Sequence, residues 1–234
     1  MRAIIFAVAM SSGTFLQAQQ KHEKTVDLNL AVGSSQGSFA GYYLHNWKIG
    51  KHKKIQIGLG GRFTAYLGAN QYYSTAPAKL TSGATGPGVL FLDNVTANID
   101  TFLLASPQVF AINAMINLGY DFTDTFSMSF NIDAMGFSFG SQKKGNYING
   151  FMGQFTTATP TPFNILLISD NDWGTLNSEL TGKYKINEKW AIKIGVQFLF
   201  TEYTTTTKVQ QAPEANDRFR NKSLMFSVGS SFKI

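Results

Sequence analysis

The chain has 234 residues, a length suited to one domain, and a formal net charge of +6. Charged residues make up only 15% of it and aromatic residues 14%. This balance suits a protein surrounded by lipid and argues against a nucleic-acid partner, because the lysines and arginines form no stripe or arm. Cysteine is absent, which excludes a disulfide framework and the attachment residue of a lipoprotein.

The first residues have the pattern of a secretory signal peptide. Arg2 supplies a positive start, residues 3–10 form an apolar run, and small and polar residues follow as far as Ala18. The apolar run is too short to span a bilayer as a helix, so a helical anchor is the less favoured alternative. We therefore predict a cleaved signal peptide over residues 1–18 and a single exported domain over residues 19–234.

A two-residue period is clearest near the end of the chain. Apolar side chains occupy every second position from Trp190 to Phe200, with Lys193 and Gln197 between them. A strand points alternate side chains to opposite faces, so this segment has one apolar and one polar wall. A tilted transmembrane strand needs about 9 to 11 residues, roughly twice a typical soluble strand. The segment therefore favours an outer-membrane β-barrel.

The same alternation, weaker in the second segment, predicts strands over eight segments. These are residues 26–32, 39–49, 55–67, 110–120, 126–134, 176–186, 190–204 and 224–234. The predicted fold is all-β, a closed antiparallel up-and-down transmembrane barrel of eight strands. Residues 89–103 leave an alternative of ten strands, because Val95, Ala97 and Ile99 alternate there and would add a hairpin.

The links between these segments alternate in length. Those at residues 50–54, 123–124 and 187–189 are tight, whereas those at 69–107, 141–174 and 205–220 are long. All six prolines lie in the three long links, as expected if the remainder is sheet. Short periplasmic turns and long external loops are typical of outer-membrane barrels, so the tight links predict the periplasmic side.

Aromatic residues collect where the predicted strands meet the tight links. Such rings favour the headgroup boundary of a bilayer, so we interpret them as one interfacial belt. The belt contains Trp47, Tyr120, Phe122, Phe126, Tyr184, Trp190 and Phe232.

The last eight residues resemble the carboxy-terminal assembly signal of outer-membrane barrels. Gly229, Phe232 and Ile234 match its glycine and two apolar positions, although Ile234 stands where phenylalanine is commonest. The resemblance implies that the barrel-assembly machinery recognises this strand.

As a whole, residues 24–234 resemble small eight-stranded Gram-negative barrels of the outer membrane protein A, X and W type, by organisation rather than by residue identity. Residues 131–140 and 197–203 look like an uncharacterised family of such proteins. This resemblance implies an integral protein of the cell outer membrane that contacts lipid and lipopolysaccharide. It implies no particular activity.

Polar residues occupy the alternate strand positions whose side chains are expected to point into the barrel, and they predict a charged lumen. Arg62, Asp133 and Glu179 are expected at an upper level, and Asp27, Lys183 and Lys193 at a lower one, so that opposite charges pair. An eight-stranded barrel is only wide enough for side chains to fill it, which favours a structural plug; the alternative is a gated ion or proton path. The other predicted lumen residues are Asn29, Asn113, Asn117 and Asn131.

No catalytic constellation is evident. His22, His45 and His52 fall in the amino-terminal tail, a strand and a turn, without a serine or aspartate arranged beside them. Asp170 and Asp172 lack the ligand spacing of a calcium loop, which favours a polar turn over a calcium site. The glycines at 58–61 lie inside a strand and make no phosphate loop. We expect no enzymatic activity, cofactor or metal.

The long links are unusually apolar, at residues 89–92, 151–152, 155 and 165–168. We expect them to fold over the barrel mouth. A structural or surface-interaction role is favoured for such a cap, and the alternative is transport of an apolar small molecule, with an apolar ligand bound at the loops, or a narrow porin-like channel.

Overall fold

The computed structural model describes residues 22–149, 152–167 and 169–234, and within them the chain is almost entirely antiparallel sheet. The predicted signal peptide lies outside the described residues, as do Phe151 and Ile168. The strands are β1 (His22–Gly33), β2 (Gln36–Ile49), β3 (Ile55–Gly68), β4 (Gln71–Thr75), β5 (Thr101–Leu104), β6 (Gln108–Asp121), β7 (Phe126–Phe139), β8 (Lys143–Asn149), β9 (Met152–Pro160), β10 (Phe163–Ile165), β11 (Leu176–Lys185), β12 (Trp190–Thr205) and β13 (Arg218–Lys233).

Short helical turns occupy part of the first long link, at residues 69–107, and the segment before β11. They are α1 (Ala78–Thr81) and three 3₁₀ turns at Pro87–Phe91, Thr96–Asn98 and Ser169–Asn171. In the described ranges, no helix is long and apolar enough to cross a membrane.

Eight long strands pair edge to edge in a closed ring. Its order is β1, β2, β3, β6, β7, β11, β12 and β13, and β13 pairs back with β1. The all-β, antiparallel up-and-down architecture is therefore confirmed. The described ranges contain 13 strands, more than the eight or ten predicted, because the long links hold β4, β5, β8, β9 and β10. We call the end with the tight links the turn end, and the opposite end the loop end.

The ring is apolar outside and polar inside. Leu28 and Leu30 are 49% and 56% exposed, whereas their neighbours Asp27 and Asn29 are each only 2% exposed. A water-soluble protein would bury the leucines and expose the polar residues. Since side chains of a strand alternate between its faces, the same inversion repeats along the long strands.

A β-bulge in β7 changes which side chains face outward. Ala114 is opposite Met135 and Met115 is opposite Asp133, so Ala134 has no partner on β6. After the extra residue, odd-numbered and even-numbered side chains exchange the faces of the sheet to which they point. The predicted apolar row that ended at Ala134 is therefore wrong at that residue, and the outward row continues instead through Met135 and Phe137.

Four of the added strands close a second, smaller ring at the loop end, which we call the dome. β4, β5, β8 and β9 pair in that order, β4 joins the upper part of β13 at Phe219, and β9 joins β12 at Tyr203. The upper parts of β12 and β13 pair with each other and complete the ring. The hairpin considered for residues 89–103 is wrong, because β5 pairs with β4 and β8.

The hydrophobic core lies inside the dome. Ring centroids of Tyr73 and Tyr203 are 5.4 Å apart, and Phe219 lies 5.5 Å from Phe102 and 5.9 Å from Tyr147. All five side chains are at most 7% exposed. Burying an aromatic or aliphatic side chain of this size contributes about 1.5–3 kcal/mol, so the dome has a core of its own above the polar lumen.

Candidate functional site

The upper level of the lumen is organised around one guanidinium group. Arg62 on β3 places Nη1 3.5 Å from Oδ1 of Asp133 and Nη2 3.8 Å from Oε2 of Glu179, and all three side chains are fully buried. Arg62 also donates to the Asn177 carbonyl at 3.1 Å. Asp133 accepts from the Asn113 amide at 2.7 Å, which satisfies its other oxygen. The structure therefore brings the three predicted upper residues together.

The lower level divides into two pairs. Lys193 Nζ lies 2.9 Å from Asp27 Oδ2, and the Ser231 hydroxyl donates to the other Asp27 oxygen at 2.7 Å. Lys183 lies instead towards the turn end, where its Nζ is 3.4 Å from Glu23. Lys48 is 3.6 Å from the same Glu23 carboxylate. The structure thus places Lys183 beside a residue that the sequence reasoning did not include.

Tyr42 connects the two levels and was missed by the sequence reasoning. Its hydroxyl donates to Glu179 Oε2 at 3.0 Å and accepts from Lys193 Nζ. The Arg62 guanidinium and the Lys193 ammonium lie 5.0 Å and 4.6 Å from the centroid of its ring. The sequence held one signal for Tyr42: its side chain points to the opposite face of the strand from those of Phe39 and Tyr43, which face outward. The alternation of apolar and polar residues in β2 is weak, and this obscured the signal.

The lumen residues are buried in the middle of the ring. All the predicted members are below 3% exposed except Lys183, which is intermediate. A void of about 10 Å³ lies against Asp27 and Lys193, enough for one water molecule. Charges in such surroundings are stable only when they are paired and hydrogen-bonded. The Asp27–Lys193 pair meets both conditions. Arg62 has carboxylates within 4 Å, but its Nε and Nη2 form no hydrogen bond within the described residues. The arrangement fills the lumen with side chains.

The two ends of the lumen differ. Towards the loop end, Tyr66, Leu199 and Met225 belong to the apolar cluster that continues into the dome core, and each is at most 1% exposed. Towards the turn end, a cavity of about 520 Å³ opens beside Glu23 and Lys183. The polar interior is thus open at one end and covered by apolar side chains at the other.

A second ionic cluster covers the outward face of β12 and β13 at the loop end. Glu202 accepts from Arg218 Nε at 2.8 Å and from Arg220 Nη2 at 2.7 Å, and both guanidinium groups donate to the Asp172 carbonyl. The Arg218 guanidinium stacks 3.5 Å from the centroid of Trp173. Sequence reasoning missed this cluster because Glu202 shares the outward parity of Phe198 and Phe200, where a lipid-facing residue is expected.

The aspartates weighed as a calcium site have other partners. Lys222 Nζ is 2.5 Å from Asp170 Oδ1, and Asp172 Oδ1 accepts from the Leu167 backbone N–H at 2.6 Å. Burial raises the pKa of Asp172 above its ordinary value, with the Leu167 N–H opposing the shift. Over the described ranges, no group of three or more metal-ligating side chains is close enough to hold an ion.

The residues of the predicted aromatic belt occupy one end of the ring. Tyr184 and Trp190 are 59% and 48% exposed at the turn end, and Trp190 packs 4.8 Å from Phe232. Tyr120 and Phe126 lie nearby at 42% and 38% exposure, both in contact with Phe122. Trp47 stacks on His45 at 4.5 Å, and His45 Nε2 is 3.1 Å from His22 Nδ1. These histidines therefore belong to the outer surface near the turns.

The residues of the predicted assembly signal lie on β13 or directly after it. Gly229 is opposite Asn29 on β1, where an added Cβ would lie 2.3 Å from the Leu28 carbonyl oxygen. Phe232 pairs with Val26, and Ile234 is 61% exposed.

No family model and no curated protein match the chain. Similar folds occur among solved outer-membrane barrels. The outer membrane protein Ail of Yersinia pestis is 7% identical with a TM-score of 0.39, covering 92% of this chain and 100% of Ail. The N-terminal β-barrel domain of Pseudomonas aeruginosa OprF is 8% identical, TM-score 0.35, covering 92% and 100%. The Pseudomonas putida toluene transporter TodX is 7% identical, TM-score 0.26, covering 92% and 89%. These values establish neither a family nor an activity.

Proposed function

We propose that the protein is an integral outer-membrane barrel of a Gram-negative cell envelope, exported with a cleaved signal peptide and folded as one domain. The observation that carries the proposal is the closed ring whose outer face is apolar and whose inner face is polar. Exposing residues such as Ile194 (54%) and Leu224 (65%) to water is unfavourable, and lipid removes that cost. The turn end faces the periplasm and the dome faces outward, in contact with lipopolysaccharide.

The barrel-assembly machinery is the proposed partner during biogenesis, through the β13 segment with Gly229, Phe232 and Ile234. In the folded protein, we assign a structural or surface-interaction role and no enzymatic one. The dome supports this role because it is an element with its own packed core, held above the ring by paired strands and by Glu202, Arg218 and Arg220. Its outer surface presents Tyr72 and Phe155, which are 60% and 83% exposed.

The filled interior argues against the two transport alternatives. An ion would have to displace the network around Arg62 and then cross the apolar layer of Tyr66, Leu199 and Met225. An apolar solute would need a passage through the dome, whose described interior residues Phe102 and Tyr203 are fully buried. We therefore favour an occluded barrel over a channel or a solute transporter.

Two experiments test the proposal. The protein should fractionate with outer membranes and migrate differently before and after heating in detergent gels, and recovery in the soluble periplasm would contradict a membrane role. In planar bilayers, the folded protein should produce no discrete single-channel openings. Reproducible conductance steps would contradict the occluded lumen and favour the channel alternative.

A further inference from the structure

The cavity at the turn end has an excess of basic side chains. The cavity has a volume of about 520 Å³, and its walls carry five lysines and three acidic residues. Four of the lysines lie at inward-facing positions of β2, β11 and β13, and the fifth lies in the turn between β11 and β12. They are Lys48, Lys183, Lys185, Lys189 and Lys233.

Two of these lysines are neutralised within the protein. Lys48 lies 2.6 Å from Asp121 and 3.6 Å from Glu23, and Lys183 lies 3.4 Å from Glu23. The Glu23 carboxylate has both ammonium groups within 4 Å, so it is already engaged by lysines of the protein. The inner part of the cavity is therefore balanced in charge.

The remaining three lysines have no carboxylate within ion-pair distance in the part of the chain that the structure describes. Lys185 donates to the backbone carbonyl of Asp124 at 2.9 Å, which is a hydrogen bond to a neutral group and not an ion pair. Lys189 and Lys233 are neighbours, since the Lys233 N–H donates to the Lys189 carbonyl at 2.8 Å. Two acidic residues of the wall, Asp124 and Glu188, form no ion pair with them.

We propose that this cavity binds a small multivalent oxyanion, a molecule carrying two or more carboxylate or phosphate groups. Its volume lies within the range of about 300–1,000 Å³ typical of small-molecule sites and exceeds what one inorganic ion fills. Lys185, Lys189 and Lys233 would contact the charges, and the hydroxyls of Thr25 and Thr125 supply further polar contacts. Only the periplasmic origin of the ligand depends on the orientation proposed above.

The test uses the folded full chain in detergent micelles, with citrate and pyrophosphate as probes and sorbitol as a neutral control. Isothermal titration should show saturable binding of at least one anion and none of sorbitol, and the stronger anion identifies carboxylate or phosphate as the preferred group. The double variant Lys185→Gln/Lys233→Gln should weaken binding by about tenfold or more, equivalent to about 1.4 kcal/mol.

Lys24→Gln is the matched control, because Lys24 lies at the same end of the ring on the outward face. It should leave the affinity within about twofold, since an outward charge at that distance is screened. Lys189→Gln, in the exposed β11–β12 turn, provides a second variant if the double variant does not fold. The proposal is overturned if neither anion binds saturably, or if Lys24→Gln weakens binding as much as the cavity variants. Binding is measured on purified protein, so failure of the anion-site proposal can be distinguished from failure of the proposed function, which the fractionation and conductance experiments test.

Discussion

The hydroxyl of Tyr42 donates a 3.0 Å hydrogen bond to Glu179 while it accepts one from Lys193. One neutral side chain thereby joins the guanidinium group of the upper level to the ammonium group of the lower level. Without it, each level would present unpaired polar atoms to the other in the middle of the lumen. The barrel interior is therefore one network rather than two separate layers of charge.

Removing that hydroxyl should destabilise the protein. Tyr42→Phe keeps the ring beneath Arg62 and Lys193 but removes the buried hydrogen bonds that Glu179 and Lys193 make with the hydroxyl, at an expected cost of about 1–3 kcal/mol. The measurement is the free energy of unfolding in urea from lipid vesicles. Tyr43→Phe is the control, because Tyr43 is the next residue and lies 40% exposed on the outer face. Equal values for the two variants would contradict the bridging role.

Removing the Arg62 guanidinium, which two carboxylates share, should destabilise the protein more than removing the Tyr42 hydroxyl. Arg62→Ala leaves Asp133 and Glu179 buried without their partner, and breaking a buried ion pair costs roughly 3–5 kcal/mol. Neutralising the carboxylates as well, with Asp133→Asn and Glu179→Gln in the same chain, should recover part of that loss. Unfolding in urea compares the three proteins. If Arg62→Ala unfolds like the original protein, the lumen charges are solvated and the channel alternative returns.

The glycines of β3 give a pair of adjacent variants with opposite expected signs. A Cβ on Gly60 would lie 2.1 Å from the Tyr43 carbonyl oxygen, whereas one on Gly61 meets nothing within 4 Å. Gly60→Ala should therefore destabilise by about 1–3 kcal/mol. Gly61→Ala should be neutral or stabilise by up to about 1 kcal/mol, because alanine loses less backbone entropy. Thermal or urea unfolding distinguishes them, and a reversed order would contradict the register of β2 and β3.

Alkaline pH should weaken the dome. Burial raises the pKa of Tyr147 and of Tyr203 to about 12, from an ordinary value near 10. The folded state therefore holds these protons more tightly than the unfolded chain. Their contribution to stability is complete below pH 10 and is lost as the pH rises towards 12. Tyr147→Phe should reduce the slope of unfolding free energy against pH in this range, and an unchanged slope would contradict the prediction.

Much of the ring could be predicted from the sequence, because the two-residue period reports directly which side of a strand meets an apolar surrounding. The period from Trp190 to Phe200 corresponds to outward and inward faces of β12. The inward parity also selected Arg62, Asp133 and Glu179, which the structure places around one another. The alternation within each strand is enough to predict such contacts, because strands that follow one another along the sequence pair with each other in an up-and-down barrel.

The dome could not be predicted in this way, because its pairings join distant and short segments. Phe102 meets Phe219 through β5, β8 and the upper part of β13, and nothing local in the sequence specifies that contact. The alternation of side chains also mispredicts the surroundings of a residue where protein covers the outer face of the ring, as at Glu202, which points outward but is buried. At Ala134 a single bulged residue reverses the parity, and the short run there gives no sign of it.

The lipid-facing assignment of the outer wall is the central claim, and site-specific spin labelling in lipid vesicles tests it directly. The chain contains no cysteine, so Ile194→Cys and Phe155→Cys each provide one unique attachment site. A label at position 194, on the outer wall of the ring, should be accessible to oxygen and shielded from a water-soluble nickel complex. A label at position 155, on the dome, should show the reverse. Free access of the nickel complex to position 194 would contradict the account.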